Sequence, residues 1–207
     1  FIDQAKAPWC AHVSYIKPHW PYIVPAPYHN MYGANHVPAP TRHEVERDVP
    51  HPVFGAYMAN RIAAAFQRDD VRQKVIPAYM GLIKQCDDQL GVLLDHLEAT
   101  GRMGDTMIVL TSDHGDYLGD HWLGEKDLFH EQSVKVPMIV YDPRAEADGT
   151  RGTTCDALVE SVDLAATFVE AAGDKIPDHI IEGRSLMPWV RDQSFRAKAL
   201  NVPRSAS

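Results

Sequence analysis

Long apolar runs are absent from these 207 residues. None approaches the roughly 20 residues of a membrane-spanning helix, and no signal peptide stands at Phe1. Membrane partners are therefore not expected. Cysteine is scarce and odd in number. Cys10, Cys86 and Cys155 are widely spaced, which gives neither a disulfide framework nor zinc-site spacing. All three are expected as buried structural thiols, and that usage mildly favours a reducing, cytoplasmic compartment. Positive charge is short as well. Twenty Lys and Arg stand against 28 Asp and Glu, a formal net charge of -8. That balance argues against nucleic acid as a partner and leaves room for a local basic pocket that takes a small anionic substrate. There is no internal repeat, no low-complexity tract and no initiator methionine, so the sequence reads as a fragment or a processed product.

What is present suits one soluble domain with a sizeable core: 45% of the residues are hydrophobic and 23% charged. Trp9 to Ile16 reads as a strand, stopped by Lys17-Pro18-His19-Trp20-Pro21, because proline cannot donate to a sheet ladder. A long proline-rich irregular segment follows, to Pro52; loops of this length in compact domains are often functional. Val71 to Thr100 is the clearest helix. Ile76, Ile83, Leu90 and Leu97 fall seven apart, interleaved with Tyr79, Cys86 and Leu93, and Gly101 is placed to end it. Pro77 predicts a kink or a late start. Met107 to Leu110 and Val136 to Tyr141 read as buried strands, and Val162 to Ala172 as a short helix. Gly115 to Lys135 reads as a long active-site loop. The order of strands and helices predicts an α/β sandwich with a largely parallel sheet.

The chemistry concentrates after the strand that ends at Leu110, in Thr111-Ser112-Asp113-His114-Gly115. In open α/β sheets, ligands bind outside the carboxyl ends of the strands. A carboxylate and an imidazole together suit Mn, Zn or Fe better than Mg, and calcium prefers shells made wholly of oxygen. An isolated Asp-His-Gly more often organises a turn, so the strand-end setting carries the metal reading. Lys126 lies thirteen residues beyond Asp113. A lysine beside a metal can stabilise charge that develops on a transferring phosphoryl or sulfuryl group, although a lone lysine is usually a solvated surface charge. His19 follows the first candidate strand. It is either a proton donor to a leaving group or a ring packed among Trp20, Pro21 and Tyr22. His121 and His130 flank Lys126, either lining a pocket or exposed, while His29, His36, His43 and His51 lack ligand spacing. Asp87 and Asp88 diverge by about 100° around a helix and are read as structural.

Taken together, T-S-D-H-G-D-Y-L-G-D-H-W, then G-E-K-D-L-F-H-E, then V-K-V-P-M-I-V-Y-D-P resemble the sulfatase and phosphonate monoester hydrolase family of the alkaline phosphatase superfamily. S-Y-I-K-P-H-W-P-Y, C-D-D-Q-L-G-V-L-L-D-H-L and I-E-G-R-S-L-M-P fit the same pattern in the same order, over roughly residues 9 to 190. The resemblance implies an α/β, alkaline-phosphatase-like sandwich with a largely parallel central sheet flanked by helices. Residues 1–190 would be its C-terminal portion and 191–207 a tail. Asp113 and His114 would be two ligands of a single divalent metal (Mn, Zn or Ca, with Mn favoured). Lys126 would contact the non-bridging oxygens of the substrate or its leaving group. His19 would contact the ester and help the leaving group depart. Asp-His, where many sulfatases carry Asp-Asn, leans toward the phosphonate monoester hydrolase branch.

One departure from the family is plain. Its nucleophile is a formylglycine made from cysteine in a C-x-P-S-R type motif, and none of the three cysteines here sits in one. The nucleophile and the other metal ligands are expected in an N-terminal half that this sequence does not contain, so these residues alone are expected not to turn over substrate. The reading is thus a fragment of a hydrolase cleaving phosphonate monoesters, phosphodiesters or sulfate esters. The alternatives are an aryl- or alkylsulfatase of the same family, or a non-catalytic remnant that keeps the fold as an interaction module. The substrate class is a small anionic ester, and relatives often form homo-oligomers.

Overall fold

The computed structural model describes residues 1–177 and 179–192. It divides into two compact units. Phe1–Thr100 and His114–Val136 form the first, and Gly101–Asp113 with the described residues from Pro137 onward form the second. Among the described residues no helix is long and apolar enough to cross a membrane.

The first unit is organised along one long helix. Three short α-helices precede it: α1 (Glu44–Asp48), α2 (Pro52–Met58) and α3 (Arg61–Phe66). Their starts explain two histidines of the proline-rich segment. His43 Nδ1 accepts from the Val45 N–H and His51 Nδ1 from the Val53 N–H, both at 3.3 Å, as N-cap side chains. Asn60 caps α3 in the same way, at 2.9 Å. The helix α4 (Asp69–Ala99) then runs unbroken through Pro77. Asp69 and Asp70 in its first turn suit the helix dipole, and Gly101 beyond its end takes φ +71°. Ile76, Leu82 and Leu97 are buried along it. Gly81 lets the chain pass close: a Cβ there would stand 2.6 Å from the Tyr28 carbonyl oxygen. Tyr28 Oη donates to Asp88 at 2.9 Å, and Lys84 pairs with the same carboxylate, so Asp88 ties α4 to the segment beside it.

The core of this unit is Met58, Ala63, Tyr117, Trp122 and Leu123, flanked by Phe54, Tyr57 and Leu128. Burying each large side chain is worth about 1.5–3 kcal/mol, so helices α2 and α3 and the loop after Gly115 hold one another in place. The Trp122 indole N–H donates to the His43 carbonyl at 3.0 Å, and the Arg42 and Arg47 guanidinium groups lie 4.6 and 4.5 Å from its ring centre. A one-turn helix, α5 (Glu131–Val134), closes the loop.

The second unit holds the strands β1 (Ile108–Thr111) and β2 (Met138–Tyr141), with helices α6 (Asp163–Ala171) and α7 (Met187–Arg191). Ala147, Leu186 and Val190 form its core, packed by Met138, Val140, Val159, Leu164 and Trp189. Buried Asp163 accepts the N–H groups of Glu160 and Arg184, each at 2.8 Å. Buried Asp142 takes Arg144 at 2.8 Å and Arg191 at 3.0 Å.

Three expectations need correction. The sheet among the described residues is a two-stranded antiparallel pair, Ile108 facing Tyr141 and Thr111 facing Met138, not a parallel sheet. A parallel pair needs a crossover connection, usually a helix; between β1 and β2 the only α-helix is the four residues of α5. Trp9 to Ile16 forms no strand among the described residues, and its Val13 and Ile16 are exposed. Cys10, on that same stretch, is therefore exposed rather than buried, while Cys86 and Cys155 are half-buried. Beyond Asp192, the expected tail lies outside the described residues.

Candidate active site

The segment that carries His19 has no regular structure and is held by its own side chains. Lys17 folds back, Nζ donating to the carbonyls of His19 at 3.2 Å and Pro21 at 2.5 Å. The Cys86 thiol of α4 donates to the Lys17 carbonyl at 3.3 Å, and its burial pushes the thiol pKa up. His19 Nδ1 donates to the Trp20 carbonyl at 2.9 Å. A carbonyl only accepts, so Nδ1 carries the hydrogen and Nε2 presents its lone pair in the neutral ring.

The loop that carries Lys126 is built on unusual backbone. Leu118, His121, Trp122 and Glu125 all have positive φ, between 47° and 61°. For non-glycine residues this conformation costs roughly 1–2 kcal/mol each. Tyr117, Trp122 and Leu123, all buried, hold it down. Backbone bonds cross the loop from the Tyr117 N–H to the Glu125 carbonyl and from the Gly119 N–H to the Leu123 carbonyl, both at 2.8 Å. The buried Ser133 hydroxyl donates to the Lys126 carbonyl at 2.7 Å, and the Ser133 carbonyl accepts the Gly115 N–H at 2.7 Å. Gly115 is required there: a Cβ would collide with the Gln132 carbonyl oxygen.

These two segments meet. Lys126 Nζ donates to His19 Nε2 at 3.0 Å, and both residues are half-buried. The His114 ring lies edge-on to the His19 ring, 5.9 Å between centres. Three of the four residues expected at the site are therefore together in the first unit. Asp113 is joined to His114 by the peptide bond at which the two units divide, and its own residue is exposed.

The donor chemistry of the pair fits a divalent metal. His114 Nδ1 donates to the Gly115 carbonyl at 2.7 Å. That places the lone pair on Nε2 in the neutral ring, the arrangement in which a backbone carbonyl orients a metal-binding imidazole. Among the described residues no group of three or more His, Cys, Asp and Glu is arranged to hold a metal ion, so Asp113 and His114 form at most part of a ligand shell. His121 and His130 lie elsewhere in the interior. Their rings stack 4.2 Å apart at 16°, His121 pairs with Glu46 at 2.7 Å, and Tyr117 Oη and His130 Nδ1 share a 2.8 Å hydrogen bond.

Two residues to which the sequence assigns no role also stand here. Tyr22 Oη donates to Asp116 Oδ2 at 2.8 Å. The Tyr22 ring sits edge-on to Phe66 and Tyr79, with ring centres 6.1 and 6.2 Å away. Burial pushes Tyr79 up to about 12, with the Asp116 charge adding to it. Burial also raises the Asp116 carboxyl, with the Glu125 charge, against the hydrogen bonds from Tyr22 and Leu118 that lower it.

The model of the sulfatase family matches residues 1–174. The chain belongs to the sulfatase family. It is 34% identical over 198 residues to the multifunctional alkaline phosphatase superfamily protein PehA of Trinickia caryophylli, covering 89% of this chain and 38% of that one. It is 29% identical over 203 residues to an arylsulfatase of Clostridium perfringens, 93% of this chain and 39% of that one. The structure of the phosphonate monoester hydrolase of Agrobacterium radiobacter superposes with a TM-score of 0.82 at 28% identity, over 100% of this chain and 41% of that one. The fold is thus the one found in part of these alkaline-phosphatase-like hydrolases. This sulfatase-family chain spans about two fifths of the length of each of these relatives.

Proposed function

We propose that this chain supplies the leaving-group side of a metal-dependent hydrolase that cleaves phosphonate monoesters, phosphodiesters or sulfate esters. The observation that carries the reading is the Lys126–His19 contact of 3.0 Å, with the His114 ring beside it. An ammonium and an imidazole held this close, within a chain of formal charge -8, form a local cationic site for an anionic ester. Lys126 stabilises charge on the non-bridging or leaving oxygen. His19 Nε2 accepts from Lys126 in the resting site; once it has taken up a proton from water, it passes that proton to the departing oxygen. Lys17 and the Trp20 carbonyl keep the His19 ring and backbone oriented while it does so. Asp113 and His114 would hold one divalent cation, with manganese favoured, together with ligands from residues outside this sequence. When bound, that ion supplies positive charge and a template for the ester. The nucleophile, a formylglycine, also comes from outside these residues.

Likeness to the phosphonate monoester hydrolase of Agrobacterium radiobacter favours phosphonate esters. Similarity to the Clostridium perfringens arylsulfatase supports sulfate esters as a second reading. The deciding experiment uses the full-length protein that carries this chain. Its metal content is measured, and its hydrolysis of 4-nitrophenyl phenylphosphonate, bis(4-nitrophenyl) phosphate and 4-nitrophenyl sulfate is compared. The phosphonate ester is expected to be the best of the three. The double variant Asp113→Ala/His114→Ala is expected to lose the metal. Unchanged metal content overturns the ligand assignment, and no hydrolysis of any of the three esters overturns the function.

A further inference from the structure

One carboxylate touches every segment on which the site depends. Asp116 lies two residues after His114. Its Oδ2 accepts from the Tyr22 hydroxyl at 2.8 Å, and Tyr22 lies three residues after His19. Its Oδ1 accepts from the Leu118 N–H at 3.0 Å, which bends the start of the loop. The next residue, Tyr117, donates its N–H to the carbonyl of Glu125 at 2.8 Å, and Glu125 immediately precedes Lys126. Asp116 thus ties the His19 segment to the start of the Lys126 loop, and it lies two residues from His114.

We infer that Asp116, with Tyr22, is the positioning residue of the site: its carboxylate sets the spacing between His19, His114 and Lys126. The inference rests on the function proposed above and deepens it. The physical case is one of geometry. His19 sits on a segment with no regular structure, and Lys126 on a loop with four left-handed residues. Neither backbone fixes the other. The direct Lys126–His19 bond joins an imidazole held by the Trp20 carbonyl to a long lysine side chain that retains freedom at its far end. Tyr22 is different. Its ring is wedged between Phe66 and Tyr79, so its hydroxyl is a fixed point, and a carboxylate that accepts one donor on each oxygen has few other orientations. A positioning group of this kind touches no reacting atom. Its loss moves the groups that do, and a displacement of about 1 Å can cost on the order of 10²-fold in rate.

The test uses the full-length enzyme with Asp116→Asn and Tyr22→Phe. Asp116→Asn keeps the size of the side chain but turns an NH2 toward a donor. The expected result is a fall in kcat on the order of 10²-fold, with KM within about threefold and metal content unchanged. Tyr22→Phe removes one donor, keeps the wedged ring, and is expected to fold even where Asp116→Asn does not; its kcat falls by a smaller factor. The double variant is expected to be no slower than Asp116→Asn alone, because both act on one bond. A merely structural role would lower thermal stability and leave kcat per folded molecule intact, and that result overturns the proposal. His19→Ala and Lys126→Ala serve as the reference. If they retain full kcat, the site reading itself fails. If they are impaired while Tyr22→Phe and Asp116→Asn keep full kcat, only the positioning role of Asp116 is overturned.

Discussion

Lys126 Nζ and His19 Nε2 lie 3.0 Å apart, although 107 residues separate them along the chain. The contact joins a charged donor to an imidazole whose other nitrogen is already committed to the Trp20 carbonyl. Each partner can therefore be interrogated through the substrate as well as through the fold.

Replacing His19 is expected to matter in proportion to how badly the leaving group needs a proton. In the full-length enzyme, His19→Ala lowers kcat for a phenyl or alkyl ester by about 10²–10⁴-fold. The loss for a 4-nitrophenyl ester is smaller, because nitrophenolate departs without protonation. A series of leaving groups of graded acidity checks this, and an equal loss across the series would argue against proton donation.

For Lys126 the expectation concerns charge. Lys126→Ala lowers kcat by about 10²–10³-fold, and the double variant with His19→Ala falls short of the product of the two single losses, since the residues act as a unit. Lys126→Arg restores little, because a planar guanidinium does not place one donor at the same point. Single-turnover rates on the parent, both single alanine variants, the double variant and Lys126→Arg decide the matter.

Gly115→Ala is expected to destabilise the fold by about 1–3 kcal/mol. The added Cβ meets the Gln132 carbonyl, a backbone atom that cannot rotate away. Ser133→Ala, which removes only the hydroxyl bond to the Lys126 carbonyl, should cost about 1 kcal/mol. Thermal or urea unfolding measures both, and a neutral Gly115→Ala would contradict the close backbone approach.

Stability should also fall in acid, through His130 and Glu46. Burial lowers the His130 pKa, and the neighbouring His121 adds to the effect. The unfolded chain therefore takes up a proton at about pH 6.5, before the folded one does, and stability declines as pH falls through that range. Glu46 acts lower down. Burial raises its carboxyl, but hydrogen bonds from His121 and the His43 backbone outweigh that and hold it below its ordinary value. Its contribution is present above the unfolded carboxylate range and is lost as pH falls toward the folded value. Urea midpoints between pH 8 and pH 4 check this. His130→Asn should flatten the slope near pH 6 to 7.

Much of this was legible in the sequence, and the exceptions have physical causes. The stripe from Ile76 to Leu97 fixes α4, and Gly101 fixes its end, because helix formation is local. The runs ending at Leu110 and Tyr141 give both strands, but an apolar run does not fix the direction of its partner, and the strands expected to be buried are at most half-buried. Trp9 to Ile16 fails for the same reason: its pattern asks for a partner strand that is not among the described residues. At the site, His19, Lys126 and His114 are visible singly as residue types. Their proximity depends on a contact between distant segments, which no spacing encodes. Asp116 and Tyr22 lie inside two of the family motifs but carry no role there, since their bond joins positions 94 residues apart.

The left-handed residues of the Lys126 loop carry a consequence for how such chains vary. Surface connections are ordinarily where sequences gain and lose residues. Between Gly115 and Ser133 that freedom is closed. Inserting or deleting one residue would move Leu118, His121, Trp122 and Glu125 out of their positive-φ positions and carry Tyr117, Trp122 and Leu123 away from the core they fill. In relatives of this chain, length should change in the segment between Asp142 and Glu160, while Gly115 to Ser133 keeps its count even where its letters differ.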